Sequence, residues 1–474
     1  MKIRFWVFSV LAKLRIQLGR TFRRIAAKKW PNYSIGFYRF SATLVLLLPG
    51  MSQGQTDTFL TAIPHVIPGP LDSSTGLATG DFNGDGFEDI ASVKSFYFPT
   101  YSSGVPSVEI CLGSGDGTFS RAASYPIDGS FGEIVVGDVD GDGFNDLVVG
   151  NQYQFDYSIS ILLGVGDGTF QESIRQSVGG VPNGLATCDF NGDGMDDIAW
   201  VGRYSQTGMN IMLSQGSGTF ASPDVYETGD FPRKVETGDF NGDGISDLVT
   251  LNYSDSFSIL LGAGDGSFSL QGSVLVGEHS FRSEMALGDF NGDGNLDVAT
   301  PQAMITFGNG DGTFQAPQIA SNFFSGTTIA SGDFNLDGKA DLTFLDSISN
   351  RAFVYIGDAS GTNFNSEEYA VLGDVKIDNN VVVADFNNDY YPDLASNAIF
   401  VGGIQHAIVS VFLNNGSVLS IGDVNCDGAI SLLDVEPFVA VLTSNQFDEK
   451  ADINGDKVVD FLDIAPFVEL LTGL

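Results

Sequence analysis

One stretch limits what this chain can become: Gly238-Asp239-Phe240-Asn241-Gly242-Asp243-Gly244-Ile245-Ser246-Asp247-Leu248. Side-chain oxygens fall at Asp239, Asn241, Asp243 and Asp247, positions 1, 3, 5 and 9 of a loop. Alternate residues of a tight turn can point inward together, and three carboxylates held that close repel one another unless a cation sits between them. A hard cation with oxygen ligands, calcium above all, answers that requirement. Gly244 at position 6 can take the positive φ the turn needs, and Ile245 at position 7 would lend its backbone carbonyl.

The stretch occurs seven times, at intervals of 57, 51, 50, 50, 44 and 52 residues. The candidate ligands are Asp81, Asn83, Asp85 and Asp89; Asp138, Asp140, Asp142 and Asp146; Asp189, Asn191, Asp193 and Asp197; and then Asp239 to Asp247 as above. They continue with Asp289, Asn291, Asp293 and Asp297; Asp333, Asn335, Asp337 and Asp341; and Asp385, Asn387, Asp389 and Asp393. A single copy would read equally as an ordinary Asp/Asn turn, but seven copies that keep every ligand position point to metal. These loops are not EF-hands, which place an acid at position 12 and run into a helix. Position 12 here is Ser92, Val149, Trp200, Thr250, Thr300, Phe344 or Ser396, and the following runs, such as Leu248-Val-Thr-Leu251, are β-branched and strand-like.

A period near 50 residues predicts a repeat architecture. In the third copy four strand-like runs are visible: Gly184 to Thr187, Ile198 to Val201, Asn210 to Leu213, and a run after Phe220. Four-stranded units repeated radially make a β-propeller, and seven loops imply seven blades in an all-β domain. A second element, Leu112-Gly-Ser-Gly-Asp-Gly-Thr-Phe119, recurs at Leu163 to Phe170, Leu261 to Phe268 and Phe307 to Phe314, more loosely at Leu213 to Phe220. Gly-Asp-Gly between apolar runs is a hairpin turn, and its Leu and Phe read as blade core. The unit after the last loop stops at Asn414-Asn415-Gly416 without an outer strand, while Phe59 to Gly69 lines up with Phe170 to Gly180. The N-terminal piece therefore supplies the missing outer strand and covers both open edges.

On these motifs residues 59–416 resemble FG-GAP/VCBS repeats, a family of seven-bladed propellers that includes the integrin α-subunit head. Asp-Phe-Asn-Gly-Asp-Gly-x-x-Asp matches in copies one, three, four and five; copy two has Asp140 for Asn, copy six Leu336 for Gly, and copy seven Tyr390 for Gly. The resemblance implies that the calcium loops join the first and second strands of each blade, on one face with the Gly-Asp-Gly turns.

The last fifty residues differ. Asp423, Asn425, Asp427, Ser431 and Asp434 occupy positions 1, 3, 5, 9 and 12 of a loop, followed by helical spacing in Val435 to Leu442. Twenty-nine residues on, Asp452, Asn454, Asp456, Asp460 and Asp463 repeat the pattern before Ile464 to Leu471, with Lys457 where Gly is usual. Residues 417–474 thus resemble a type I dockerin, a small α-helical, EF-hand-like calcium module, which implies a cohesin-like or other surface protein as partner.

Residues 1–56 carry ten of the 22 Lys and Arg and no acid, ahead of an apolar run from Phe40 to Leu48. This reads as an export signal over 1–54, with a retained amphipathic anchor as the competing reading. It leaves residues 55–416 as the propeller. The remainder sets 12 basic against 59 acidic residues, a net −47. Such a surface avoids nucleic acid, and 22 of the acids sit at loop ligand positions. Cys111, Cys188 and Cys426 form no disulfide framework. His65, His279 and His406 are not at metal-ligand spacing, and no Gly-x-Ser-x-Gly or phosphate-cradling motif occurs. Loops between the second and third strands carry aromatics, among them Tyr153, Tyr204 and Tyr253. These could line a glycan or protein site or pack locally over blade ends. The expectation is a secreted or cell-surface, calcium-binding, monomeric protein of non-catalytic binding or adhesion, tethered by its tail. The alternative is a carbohydrate-active enzyme or lectin-like binder carried on a dockerin scaffold.

Overall fold

A computed structural model describes residues 63–66 and 73–414, apart from short loops at 96–104, 130–132, 154–155, 203–206, 254–255, 277–283, 321–327, 347–350, 371–374 and 401–405 and single residues 303, 359 and 363. The described residues lie in one compact unit, Thr56–Leu474. The expected export signal and dockerin-like module lie outside the described residues, as do the ligand candidates from Asp423 to Asp463.

Among the described residues there is no helix. Twenty-eight strands form seven antiparallel four-stranded sheets. The third blade is representative: Pro182–Cys188, Asp197–Gly202, Thr207–Met212 and Asp224–Asp230, ordered from the centre outward. Each expected run is present; the first two are one or two residues longer at each end, and the third begins three residues earlier and ends one residue sooner, at Met212. Ala186↔Ala199 and Ala199↔Ile211 fix the register. The second strand is buried throughout, as its unbroken apolar run requires, whereas the outermost strand alternates toward solvent.

The seventh blade closes the ring. Val375–Ala384, Asp393–Phe400 and His406–Phe412 are joined by Ile63–Val66 from the N-terminal side. Ile63 faces Val411 and Val66 faces Ile408, antiparallel. The pairing covers an edge that would otherwise template aggregation.

The hydrophobic core lies between blades. Seven apolar clusters each join residues of two successive blades; one unites Leu77, Ile90 and Cys111 of the first blade with Phe386, Val411 and Leu413 of the seventh. The Leu and Phe of the turn element pack into these seams: Leu163 and Phe170 are buried, and Leu213 and Phe268 pack against the third–fourth seam. The innermost strands of all seven blades surround a central cavity of about 1030 Å³.

Candidate metal centres

Each Asp/Asn loop connects the first and second strands of its blade, on the same side as the turn between the third and fourth strands. The fourth loop shows how the sequence folds there. Asp239 Oδ1 accepts the Gly242 and Asp243 N–H groups at 2.7 and 3.2 Å, and Oδ2 accepts Gly244 N–H at 2.9 Å. Asn241 Oδ1 accepts Asp243 N–H at 2.9 Å, and Asp243 Oδ1 accepts Ile245 N–H at 2.8 Å. Gly242 and Gly244 both have positive φ, +72° and +79°, which only glycine adopts without steric cost. The side-chain oxygens at positions 1, 3 and 5 thus hold the loop closed by accepting its own N–H groups; among the described residues only the second loop brings three carboxylates within 4.8 Å of one another. Asp333 and Asp385 hold their loops in the same way, with Tyr390 N–H donating to Asp385 Oδ2 at 2.7 Å.

Position 9 has a second role that the spacing alone does not reveal. Asp89, Asp146, Asp197, Asp247, Asp297, Asp341 and Asp393 are all buried. Both oxygens of each accept backbone N–H groups: Asp247 Oδ2 from Phe240 at 3.0 Å, and Oδ1 from Gly262 at 2.8 Å. The same carboxylate therefore ties the loop to the start of the neighbouring turn. Burial, first of all, and then the other loop carboxylates raise these carboxyls above the usual range: Asp146 and Asp297 to about 7, Asp341 and Asp393 to about 8. A cation among the oxygens would oppose that rise.

The second loop tests whether the residues suit such a cation. Elsewhere the position-3 Asn amide donates to the position-5 carboxylate, as Asn191 Nδ2 does to Asp193 Oδ2 at 3.0 Å. Asp140 has no such proton to give. Its Oδ1 is buried without a hydrogen-bond partner, and oxygens of Asp138, Asp140 and Asp146 lie within 4.8 Å of one another. Burial and the adjacent Asp142 and Asp138 raise the Asp140 carboxyl. A hard, oxygen-seeking cation fits this donor set.

The loops also join the blades. The position-2 carbonyl accepts a hydrogen bond from the next blade: Phe82 O from Gly168 N, Phe190 O from Gly266 N, Phe240 O from Gly312 N, and Phe386 O from Gly117 N, at 2.9–3.0 Å. The ring of the same position-2 Phe meets the Phe of that neighbouring turn edge to face, as Phe82 does Phe170 at 5.4 Å and Phe190 does Phe268 at 5.3 Å.

The aromatic candidates divide. Tyr153 ends the second strand of its blade, paired with Asp156. Tyr204 lies outside the described residues. Tyr253 is partly exposed, but it lies under the Arg233 guanidinium at 4.4 Å and edge-on to Phe231.

One cluster was not singled out from the sequence. At the cavity end opposite the Asp/Asn loops, Lys234 Nζ pairs with Glu133, with Glu236 at 3.1 Å and with Glu284 at 3.9 Å. Burial works against the Lys234 ammonium, yet the three glutamates push its pKa well above the ordinary value. Burial raises Glu236, and it lifts Glu284 to about 7 against the pull of Lys234. Glu133, Lys234 and Glu284 each stand five residues before the first aspartate of their loop, and that shared repeat position was the available signal.

Comparison with known proteins agrees with this architecture. Residues 138–200, 189–250 and 239–300 each match the FG-GAP-like repeat family. No curated protein matches the chain. Among solved structures, BBS1N in complex with ARL6DN aligns at 9% identity over 76% of this chain and 97% of that one, with a TM-score of 0.50. The Pseudomonas aeruginosa periplasmic gluconolactonase aligns at 12% identity over 63% and 88%, TM-score 0.44. A putative 6-phosphogluconolactonase from Bacteroides fragilis aligns at 13% over 63% and 84%, TM-score 0.47. At such identity the first likeness speaks to the fold alone. The chain thus carries FG-GAP-like repeats folded as a seven-bladed β-propeller.

Proposed function

We propose that this is a calcium-stabilised propeller of binding or adhesion, acting outside or at the surface of the cell and carrying no catalytic role of its own. The observation that carries the metal reading is the second loop, where Asp140 Oδ1 is buried without a partner beside Asp138 and Asp146. In each loop the oxygens at positions 1, 3, 5 and 9 would hold the ion. Calcium would neutralise carboxylates that otherwise repel, and so stiffen seams that the loops already bridge. A propeller with FG-GAP repeats fits a binding protein, because a rigid ring presents loops on both faces for recognition. Residues 1–54 would export it, and the tail at 417–474, with its own calcium loops, would tether it to a cohesin-like or surface protein. The test is a calcium titration of the chain by calorimetry, with melting followed in calcium and in chelator. A glycan and surface-protein binding screen under both conditions completes it. A melting temperature indifferent to chelator removes the metal reading, and binding to neither class removes the adhesion reading.

A second reading rests on the cavity. Glu284, lifted to about 7, stands beside Glu236 and Glu133, and a carboxylic acid near carboxylates is the equipment of glycoside hydrolysis. Turnover of polysaccharide extracts, lost in Glu284→Gln, would favour a carbohydrate-active enzyme instead.

A further inference from the structure

We propose that Asp196, carried by the third blade, serves the second loop as a positioning residue and makes that loop the first of the seven to take up a cation; this rests on the calcium reading.

The first observation is what the second loop lacks. In the other six loops the position-3 Asn amide donates to the position-5 carboxylate, at 2.9–3.2 Å. That bond offsets part of the repulsion among the loop carboxylates before any ion arrives. The second loop has Asp140 in place of Asn, and an ionised carboxylate has no proton to give. Its Oδ1 is buried without a hydrogen-bond partner, and oxygens of Asp138, Asp140 and Asp146 converge within 4.8 Å. Four carboxylates rather than three therefore attract the ion at this loop, and no side-chain amide has already compensated them.

The second observation lies at the junction with the next blade. Asp138 N–H donates to Asp196 Oδ2 at 2.9 Å, and Asp196 N–H donates to Asp138 O at 2.7 Å. Asp196 thus holds both backbone polar groups of the residue whose own carboxylate closes the second loop. That carboxylate accepts the Gly141, Asp142 and Gly143 N–H groups at 2.8–3.1 Å. The approach is this close because residue 137 is glycine: a Cβ there would lie 2.6 Å from Asp196 Oδ2.

Asp196 is position 8 of its own loop, the third. The same repeat position is uncharged at five of the other loops. It is acidic again only at Glu88, whose carboxylate bonds Thr79 of its own blade instead. A fifth negative group is thus fixed beside the second loop by two hydrogen bonds. It acts through Asp138 and through its charge, and ligand charge together with rigidity sets the affinity of an oxygen site for calcium.

The experiment titrates calcium into the metal-free full chain and follows hydrogen exchange segment by segment. Protection across residues 138–146 should appear at the lowest free calcium of the seven loops. Asp196→Asn keeps an acceptor for Asp138 N–H and removes the charge. It should raise the calcium midpoint of 138–146 roughly tenfold, as loss of one unit charge beside a divalent ion implies. That shift should shrink in high salt, which screens a charge far more than it weakens a hydrogen bond. The metal-free melting temperature should hold or rise, since the acceptor remains and a repulsion is gone. An unmoved second loop overturns the proposal. So does a shift confined to the third loop, to which Asp196 belongs in sequence, or protection that rises at all seven loops together. Protection that calcium induces at no loop removes the calcium reading, and this proposal with it.

Discussion

Two aspartates of one loop should respond differently to the removal of calcium. Asp247 is buried and holds the Phe240 and Gly262 N–H groups. Asp247→Ala leaves both without their acceptor, at about 1–3 kcal/mol each. The expected loss is roughly 2–6 kcal/mol in chelator, and larger in calcium, where Asp247 is also a proposed ion ligand. At about 2 °C per kcal/mol for a domain of this size, melting should fall by about 4–12 °C in chelator and further in calcium. Asp243 is exposed; its partners are Ile245 N–H and the Asn241 amide, and water can replace it for both. Asp243→Ala should therefore be nearly silent in chelator. In calcium it removes an ion ligand, and with it up to about 2.7 kcal/mol at a hundredfold excess of metal over Kd. Differential scanning calorimetry of both variants under both conditions decides the matter. Equal losses in chelator would refute the structural role of position 9, and an unaffected Asp243→Ala in calcium would refute the ion.

Asp140→Asn should stabilise the calcium-free chain by about 1 kcal/mol, because its amide can donate to Asp142 as the other loops' Asn does; it should weaken calcium affinity at that loop, read by calorimetric titration. Deleting residues 55–68 removes the strand paired with His406–Phe412 and should cause aggregation; a soluble, unchanged monomer in sedimentation would count against closure. In chelator, stability should fall as pH rises from about 4 to about 8. Burial raises the position-9 carboxyls to about 7 at Asp146 and about 8 at Asp393, so their contribution is complete below the unfolded value and lost through the folded one. Saturating calcium should flatten or reverse that slope, and a melting temperature that climbs with pH in chelator would contradict the assignment. Tyr253→Ala gives up the Arg233 contact and should cost about 0.5–1 kcal/mol, a loss that separates local packing from ligand binding.

Much of the ring was legible because its signals are local and repeated. The β-branched run after each loop, the Gly-Asp-Gly turn and the period near 50 each specify one unit. The alignment of Phe59 with Phe170 sets Ile63 against Ile174, and the strands Ile63–Val66 and Ile174–Ser177 occupy equivalent outer positions. The cavity cluster was harder to see. Glu133, Lys234 and Glu284 each stand five residues before the first aspartate of their loop, so the repeat marks them as equivalent positions, but only closure of the ring shows that these positions converge on the central cavity. The double duty of position 9 was hidden as well, since a ligand aspartate and a backbone-capping aspartate occupy the same place in the pattern.

The departures from the repeat carry a further lesson. Read along the chain, Ser214-Gln-Gly-Ser-Gly218 is a degraded copy of the turn, and Asn414-Asn415 is where the last blade breaks off. In space each maintains a seam. The third blade's turn contributes no glycine N–H to the position-2 carbonyl of the second loop; Ser214 Oγ donates to Val139 O instead, at 2.6 Å. The seventh blade has no such turn, and Asn414 Nδ2 donates to Phe334 O. What is kept at six of the seven loops is thus the hydrogen bond to the position-2 carbonyl, by whichever donor the local sequence can supply. A buried carbonyl left unpaired would cost about 1–3 kcal/mol at every seam where it occurred, and the failure would fall beside the loop proposed to hold the ion. Asp/Asn loop and blade seam are therefore one structural unit. If the loop holds calcium as proposed, removal of the ion should loosen the ring at its joints before it melts any single sheet.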